Sequence, residues 1–224
     1  MGIMLCIASN LQQLGITNGD SVGKAGFITS VYIMLVPVVG LFFKKKTHPL
    51  IWLCAVVSAV GLYFLSVDPA RGAFNIEFSD LAYLGCAVFF AVQIILVSIY
   101  SPQVNCIALS CIQFAVAAVF SGIGMLFFEN PSFAAILNAA GPLLYAGILS
   151  CGIAYTLQVI GQRGIDPAIA SLIMCLESVF SVIAGFLLLN QRMTPREILG
   201  CGIMFAATVA AQLIPSTQKK NSRN

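Results

Sequence analysis

Apolar runs long enough to cross a membrane recur down the whole length of this sequence. Only 8% of the residues are charged, whereas a soluble globular domain carries about 25%. A run of about 20 residues crosses the hydrocarbon core of a bilayer as one α-helix. The runs are continuous and do not alternate between polar and apolar residues, which favours helices over barrel strands. The sequence therefore predicts an all-α, polytopic membrane helix bundle surrounded by the lipid bilayer.

Turn and cap signals divide the chain into eight predicted spans. Asp166-Pro167 places an N-cap residue before a proline at the first helical position. Thr194 and Glu197 have the spacing of a capping box. The predicted spans cover residues 1–16, 22–43, 49–67, 80–99, 105–128, 142–160, 167–189 and 196–214.

Basic residues cluster at two places, Lys44–Lys46 and the tail at 215–224. Cytoplasmic loops of membrane proteins carry an excess of lysine and arginine. Because an even number of predicted spans separates the two clusters, they lie on the same side. We therefore predict a multi-pass protein of the cell (inner or plasma) membrane with a cytoplasmic C-terminus. Arg192 and Arg196 are exceptions on the other side. Both clusters are interpreted as topology signals, and no nucleic-acid partner is expected.

The sequence contains an internal repeat of three spans. "LQQLG" at 11–15 matches "LQVIG" at 157–161, an offset of 146 residues. Pro49 matches Pro195 at the same offset. A steady offset with matching loops favours a repeat over chance similarity between apolar helices. An odd number of spans in the unit gives its two copies opposite orientations, as in many secondary transporters.

The repeat divides the chain into two units and a tail. Residues 1–67 form an N-terminal unit of three predicted spans, and residues 80–214 form a C-terminal unit of five. Residues 215–224 form the basic cytoplasmic tail. Residues 80–146 have no counterpart in the N-terminal unit, so we expect about two further spans to be encoded upstream of Met1.

Two stretches resemble the EamA-type transporters of the drug/metabolite transporter superfamily. They are "GKAGFITSVYIMLVPVVG" at 23–40 and "QRGIDPAIASLIMCLESVFSVIAGFLLLNQRMTPREILG" at 162–200. The second is similar to the family's signature of a small-residue span with a Leu-Glu pair, a polar loop and a glycine-containing closing helix. The chain corresponds to spans three to ten of the ten in a complete family member. It departs from the family pattern at Lys44–Lys46, where an acidic residue is frequent, and at Ser178, where proline is common.

The resemblance implies a function as well as a fold. Family members contain two inverted repeats and expose a central cavity to the two sides of the membrane in turn. The expected activity is transport, with export as the direction, of small metabolites such as amino acids or related compounds. The closing helix of each repeat is an expected contact within the bundle or between the subunits of a homodimer.

Glu177 lies in the middle of an apolar span, within "SLIMCLESVFSVIAG" at 171–185. A charged side chain at the bilayer centre costs at least about 2.5 kcal/mol, and such residues mark substrate or ion pathways. Ser181 shares the helix face of Glu177 by its spacing. We predict that both residues line the pathway of the substrate or a coupling ion. A role of Glu177 in helix packing or general gating is the alternative.

Other intramembrane polar residues extend this predicted pathway. Tyr155 and Gln158 are three residues apart and share a helix face. Gln12 corresponds to Gln158 by the repeat. Tyr32 corresponds to Glu177 in the same way. Hydrogen bonding between helices, worth about 0.6 kcal/mol per pair, is the alternative for each of these side chains.

Three more residues complete the predicted pathway. The resemblance places Phe90 and Gln93 where the fourth span of this chain faces the central cavity. Lys24 lies near the outer end of its span. The alternative interpretation of Lys24 is that its ammonium group extends to the membrane interface.

The sequence shows no constellation of catalytic residues. The single histidine, His48, lies beside the lysine cluster, and HExxH, GxSxG and Walker motifs do not occur. The eight cysteines lie in or beside apolar runs without a CxxC pair, so we interpret them as small apolar side chains. We therefore predict no enzyme, no metal site and no cofactor. The alternatives to a transporter are a non-transporting fragment of one and, less favoured, an intramembrane enzyme, which would need a second catalytic group.

Overall fold

The computed structural model describes residues 1–18, 22–44, 47–66, 78–128, 132–189 and 194–214, which form helices without any strand. The side chains of residues 22–24, 133, 135, 181, 185, 188 and 189 lie outside this description. The helices are α1 (Gly2–Asn18), α2 (Val22–Thr29), α3 (Tyr32–Phe42), α4 (Pro49–Ser66), α5 (Phe78–Tyr100), α6 (Cys106–Phe128), α7 (Phe133–Asn138), α8 (Ala140–Leu144), α9 (Thr156–Gly161), α10 (Pro167–Leu189) and α11 (Pro195–Leu213). A π-helical stretch, Tyr145–Tyr155, joins α8 to α9.

Seven helical segments in the described part of the chain are long and apolar enough to cross a membrane. They are Ala25–Phe42, Pro49–Ser66, Phe78–Tyr100, Cys106–Phe128, Ala140–Gly161, Pro167–Ala184 and Pro195–Leu213. The predicted polytopic all-α bundle is confirmed. The first predicted span, residues 1–16, is found as the 17-residue helix α1, which is about 25 Å long and is not one of these seven segments.

The second predicted span is interrupted at Ser30 and Val31. The backbone hydrogen bonds there join residues three apart in the chain instead of four. Val31 N–H donates to Ile28 O at 3.2 Å, and Ile33 N–H donates to Ser30 O at 3.1 Å. The α2 and α3 helices therefore meet at a break within one membrane span. Pro37, inside α3, removes a further helical donor.

Two predicted helix starts are confirmed. Ala168 N–H donates to Oδ1 of Asp166 at 2.9 Å, and Pro167 is the first residue of α10. Thr194 Oγ1 accepts from Glu197 N–H at 3.2 Å, and Glu197 Oε2 accepts from Thr194 N–H at 2.6 Å. These two hydrogen bonds between Thr194 and Glu197 form a complete capping box at the start of α11.

The interior is centred on α3, α4, α5, α10 and α11. Its largest fully buried side chains include Ile33 of α3, Ile95 of α5 and Leu172 of α10. The α4 and α11 helices form the most extensive helix pair, and α10 packs against both of them and against α3. The α1 helix packs beside α5 and α6.

The outer faces of the bundle are apolar, as a lipid environment requires. Large apolar side chains of α6 are strongly exposed, among them Ile112 at 63% and Phe120 at 50%. The segment Ala140–Gly161 is exposed along nearly its whole length. This chain therefore lies in a lipid bilayer, as predicted.

Candidate functional site

Glu177 lies at the midpoint of α10, and its side chain is exposed although the residues beside it are packed. Its carboxylate interacts electrostatically with the hydroxyl groups of Tyr32 and Tyr155. Tyr32 is the first residue of α3, and Tyr155 ends the π-helical stretch. These two tyrosines belong to segments other than α10, so three segments carry groups within electrostatic range of one another.

The break between α2 and α3 brings a second polar pair to the same place. The Cys175 thiol forms a side-chain hydrogen bond with Ser30, and both side chains are buried. Cys175 also lies within electrostatic range of Glu177. The break thus places Ser30 and Tyr32, two residues apart, against the central part of α10.

Tyr155 is held by aromatic and thiol neighbours from two further helices. Its ring makes an edge-to-face contact with Phe114 of α6, with ring centroids 5.9 Å apart and an interplanar angle of 83°. Such pairs contribute about 0.5–1.5 kcal/mol beyond their buried area. The thiols of Cys86 of α5 and of Cys151 lie within electrostatic range of the Tyr155 hydroxyl. Tyr155 therefore contacts α6 through its ring, while Cys86 of α5 lies within electrostatic range of its hydroxyl.

The structure brings together three of the residues predicted from the sequence, Glu177, Tyr32 and Tyr155. Phe90 is half-buried and lies one helical turn after Cys86 of α5, on the same face. Gln158 is half-buried in α9, three residues after Tyr155. Phe90 and Gln158 are thus close along their helices to members of the cluster.

The remaining four predicted residues lie on α5, α1, α2 and α10. Gln93 is completely buried, and both polar atoms of its amide lack a hydrogen-bond partner among the described residues. Gln12 is half-buried on α1, next to Leu11, which contacts α5 at Gly85. The side chains of Lys24 and Ser181 are outside the described part of the structure. A pathway role for all nine predicted residues stays a prediction.

Sequence reasoning missed Ser30, Cys86, Cys151 and Cys175. The cysteines were missed because they resemble other small apolar side chains of membrane helices. Helical spacing does place Cys86 on the same face as Phe90, and Cys151 on the same face as Tyr155. Ser30 gave no signal of its own, because its position depends on the helix break.

The site can bind polar groups by hydrogen bonding. A carboxylate accepts hydrogen bonds, and a tyrosine hydroxyl both donates and accepts. No group of three or more histidine, cysteine, aspartate or glutamate side chains that could hold a metal occurs within the described residues. The described residues at this place therefore offer one carboxylate and two hydroxyl groups for hydrogen bonding.

The model of the EamA-like transporter family matches residues 77–211. The chain belongs to this family. The matched region extends from the start of α5 to the end of α11, so this EamA-like transporter carries Tyr155 and Glu177 within the family domain and Tyr32 before it.

Two further similarities agree with the family. An archaeal protein from Archaeoglobus fulgidus, named "Uncharacterized transporter", is 28% identical over 215 residues, which cover 95% of this chain and 67% of the relative. A protein of known crystal structure shares the fold with a TM-score of 0.76 at 18% identity. That comparison covers 94% of this chain and 75% of the other.

These findings identify a membrane transporter protein of several apolar helices. The expectation that the chain is not an enzyme is consistent with the family and with the name of the archaeal relative.

Proposed function

We propose that this EamA-like transporter exports small polar or amphipathic metabolites, such as amino acids or related compounds, across the cell membrane. The substrate binds in a central cavity between two inverted repeats, and the C-terminus lies in the cytoplasm. The observation that supports this most strongly is an exposed carboxylate at the midpoint of a membrane helix, within electrostatic range of two tyrosine hydroxyls from other segments.

The chemistry of the cluster favours a solute with an amine. A carboxylate away from water is stabilised by a cation or by hydrogen-bond donors. A substrate ammonium group supplies both when it binds between Glu177 and the tyrosines. The hydroxyls of Tyr32 and Tyr155 can then bind a carboxylate or hydroxyl group of the same solute. Phe114 fixes the ring of Tyr155 and so limits the directions in which that hydroxyl points.

The packing of the helices supports the inverted repeat. In the proposed pairing, α4 corresponds to α11 and α3 corresponds to α10. Both corresponding pairs are in direct contact, as expected when a pseudo-twofold axis passes between them. A rocking motion of one unit against the other would then expose Glu177 to each side in turn.

The test compares the metabolites released by cells that produce the parent protein with those released by cells that produce Glu177→Gln. The amide keeps the size of the side chain but removes its charge and its proton exchange. We expect the compounds enriched in the medium by the parent to fall at least tenfold in the variant, at equal abundance in the membrane. Depletion from the medium instead of enrichment would show uptake as the direction.

Glu197→Gln is the matched control, because glutamine also completes a capping box and the residue lies at the start of α11. It should release the same compounds as the parent. If Glu177→Gln also matches the parent, the carboxylate has no role in transport and serves packing alone.

A further inference from the structure

A pocket of about 410 Å³ opens where α5 and α9 end and α6 begins, away from the central site. Its walls come from the connection between α5 and α6, the first residues of α6, and the end of α9. The lining residues are Pro102, Gln103, Val104, Asn105, Cys106, Ile107, Ile160 and Arg163.

The polar side of this pocket presents hydrogen-bond donors. Asn105 caps α6, and its Oδ1 accepts from Ile107 N–H at 2.9 Å and Ala108 N–H at 3.4 Å. Because the oxygen is used in this way, the amide hydrogens on Nδ2 remain to donate outward. Arg163 adds an exposed guanidinium, which matches the geometry of a phosphate. Asp166 is buried and caps α10 through Oδ1, and it does not line the pocket.

The other side of the pocket is apolar and continuous with the lipid-facing surface. Val104 is 44% exposed, Ile107 57% and Ile160 44%. The membrane segments that border the pocket end at Tyr100 and Gly161 or begin at Cys106. The pocket therefore lies at the level of the lipid headgroups, with donors on one wall and an apolar surface below them.

We propose that this pocket binds the headgroup of one anionic phospholipid. The phosphate contacts the guanidinium of Arg163 and the Nδ2 amide of Asn105, and the acyl chains lie along Ile107 and Ile160. A soluble anion would gain nothing from the exposed apolar wall, whereas a lipid buries it. Basic pockets between membrane helices at this level suit anionic headgroups.

Native mass spectrometry of the purified full chain, with phosphatidylglycerol or phosphatidylcholine added, tests this site. We expect the parent to retain phosphatidylglycerol in preference to phosphatidylcholine. Arg163→Gln should weaken the retention of phosphatidylglycerol by about fivefold. The matched control is Lys44→Gln, which loses the same charge from an exposed position outside the pocket and should retain the lipid as the parent does.

Asn105→Asp separates lipid binding from folding. Aspartate caps a helix as well as asparagine does, but it replaces the outward donor by a second carboxylate oxygen. The variant should melt like the parent and lose phosphatidylglycerol. Equal retention by the parent, Arg163→Gln and Asn105→Asp would overturn the proposal. Inorganic phosphate that displaces phosphatidylglycerol at equal concentration would overturn the lipid as the ligand, since it would show a site for a soluble anion.

Discussion

Arg196 shows how a single charged side chain is accommodated at the edge of the membrane. Its guanidinium carbon lies 5.2 Å from the ring centroid of Tyr63 and 5.4 Å from that of Phe64. Both rings belong to the last turn of α4, and the guanidinium is attracted to their faces. This arginine was an exception to the distribution of basic residues in the sequence. The structure gives it a local partner that charge counting does not consider.

Replacing Arg196 should therefore loosen the contact between α4 and α11. We expect Arg196→Gln to lower the melting temperature of the purified protein by about 2–8 °C, since one such contact contributes about 0.5–1 kcal/mol, two rings are involved, and 1 kcal/mol corresponds to about 2–4 °C for a chain of this size. Arg196→Lys should retain part of the stability, because the ammonium group keeps the charge. Lys44→Gln serves as the control for the loss of one exposed charge. A melting temperature of Arg196→Gln equal to that of the parent would show that the rings contribute nothing.

At the scale of single residues, the sequence singled out Glu177, Tyr32 and Tyr155. The structure places the two tyrosine hydroxyls within electrostatic range of the carboxylate, whereas their role in transport stays a prediction. Glu177 could be identified from the sequence because a charge within an apolar span is costly for any arrangement of the helices. Ser30 and Cys175 could not be predicted in this way. Their pairing joins residues far apart in the chain, and small side chains of this kind are common in any membrane helix.

At the scale of helices, the crossing of α4 and α11 depends on two glycines. A Cβ atom added at Gly200 would lie 2.6 Å from the carbonyl oxygen of Gly61 and 2.9 Å from the backbone nitrogen of Leu65. A Cβ atom added at Gly61 would lie 2.9 Å from the carbonyl oxygen of Gly200. Since backbone atoms cannot rotate away as side chains do, the two helices need glycine at this contact.

Gly200→Ala should destabilise the bundle by about 1–3 kcal/mol, the usual range for overpacking. Thermal unfolding in detergent measures the effect. The matched control is Gly202→Ala on the same helix, where an added Cβ meets nothing within 4 Å. That variant should melt at or slightly above the temperature of the parent, because alanine favours a helix by about 0.5–1 kcal/mol over glycine. If the two variants melt together, the close approach at Gly200 does not determine stability.

The sequence predicted most helix boundaries, because local caps and the thickness of the bilayer set them. The predicted span 167–189 is found as Pro167–Leu189, with the expected cap at Asp166. The break at Ser30 and Val31 was not predicted, since hydropathy is continuous across it. The π-helical stretch Tyr145–Tyr155 was also missed, because its apolar composition is that of an ordinary membrane helix.

At the scale of the whole molecule, the order of the spans and the basic clusters predict one orientation. Reporter fusions after Lys46 and after Asn224 should both report a cytoplasmic location. A fusion after Phe128, an odd number of spans from each, should report the opposite side. Opposite signals from the first two fusions would remove one span from the arrangement and would contradict the inverted repeat.

The fold class followed from the sequence, whereas the arrangement of the helices did not. Hydropathy locates the segments that are long enough to cross a bilayer, because the membrane imposes their length. It does not predict that α10 packs against both α3 and α11, or that α1 packs beside α5 and α6. Those contacts join distant segments through small residues and interdigitating side chains, which leave only weak patterns in one sequence.

We infer that Glu177 faces a water-filled cavity within the bundle and not the lipid. Chemical modification tests it directly, without knowledge of the substrate. Membrane vesicles are treated with a water-soluble carbodiimide and glycine ethyl ester, and the modified carboxyl groups are identified by peptide mass spectrometry. Glu197, at the end of its span, serves as the internal control for the reaction. We expect Glu177 to be modified together with Glu197. A parallel sample is treated with lipid-soluble dicyclohexylcarbodiimide. The inference is contradicted if Glu177 reacts with this reagent but not with the water-soluble one, while Glu197 does react with the water-soluble one.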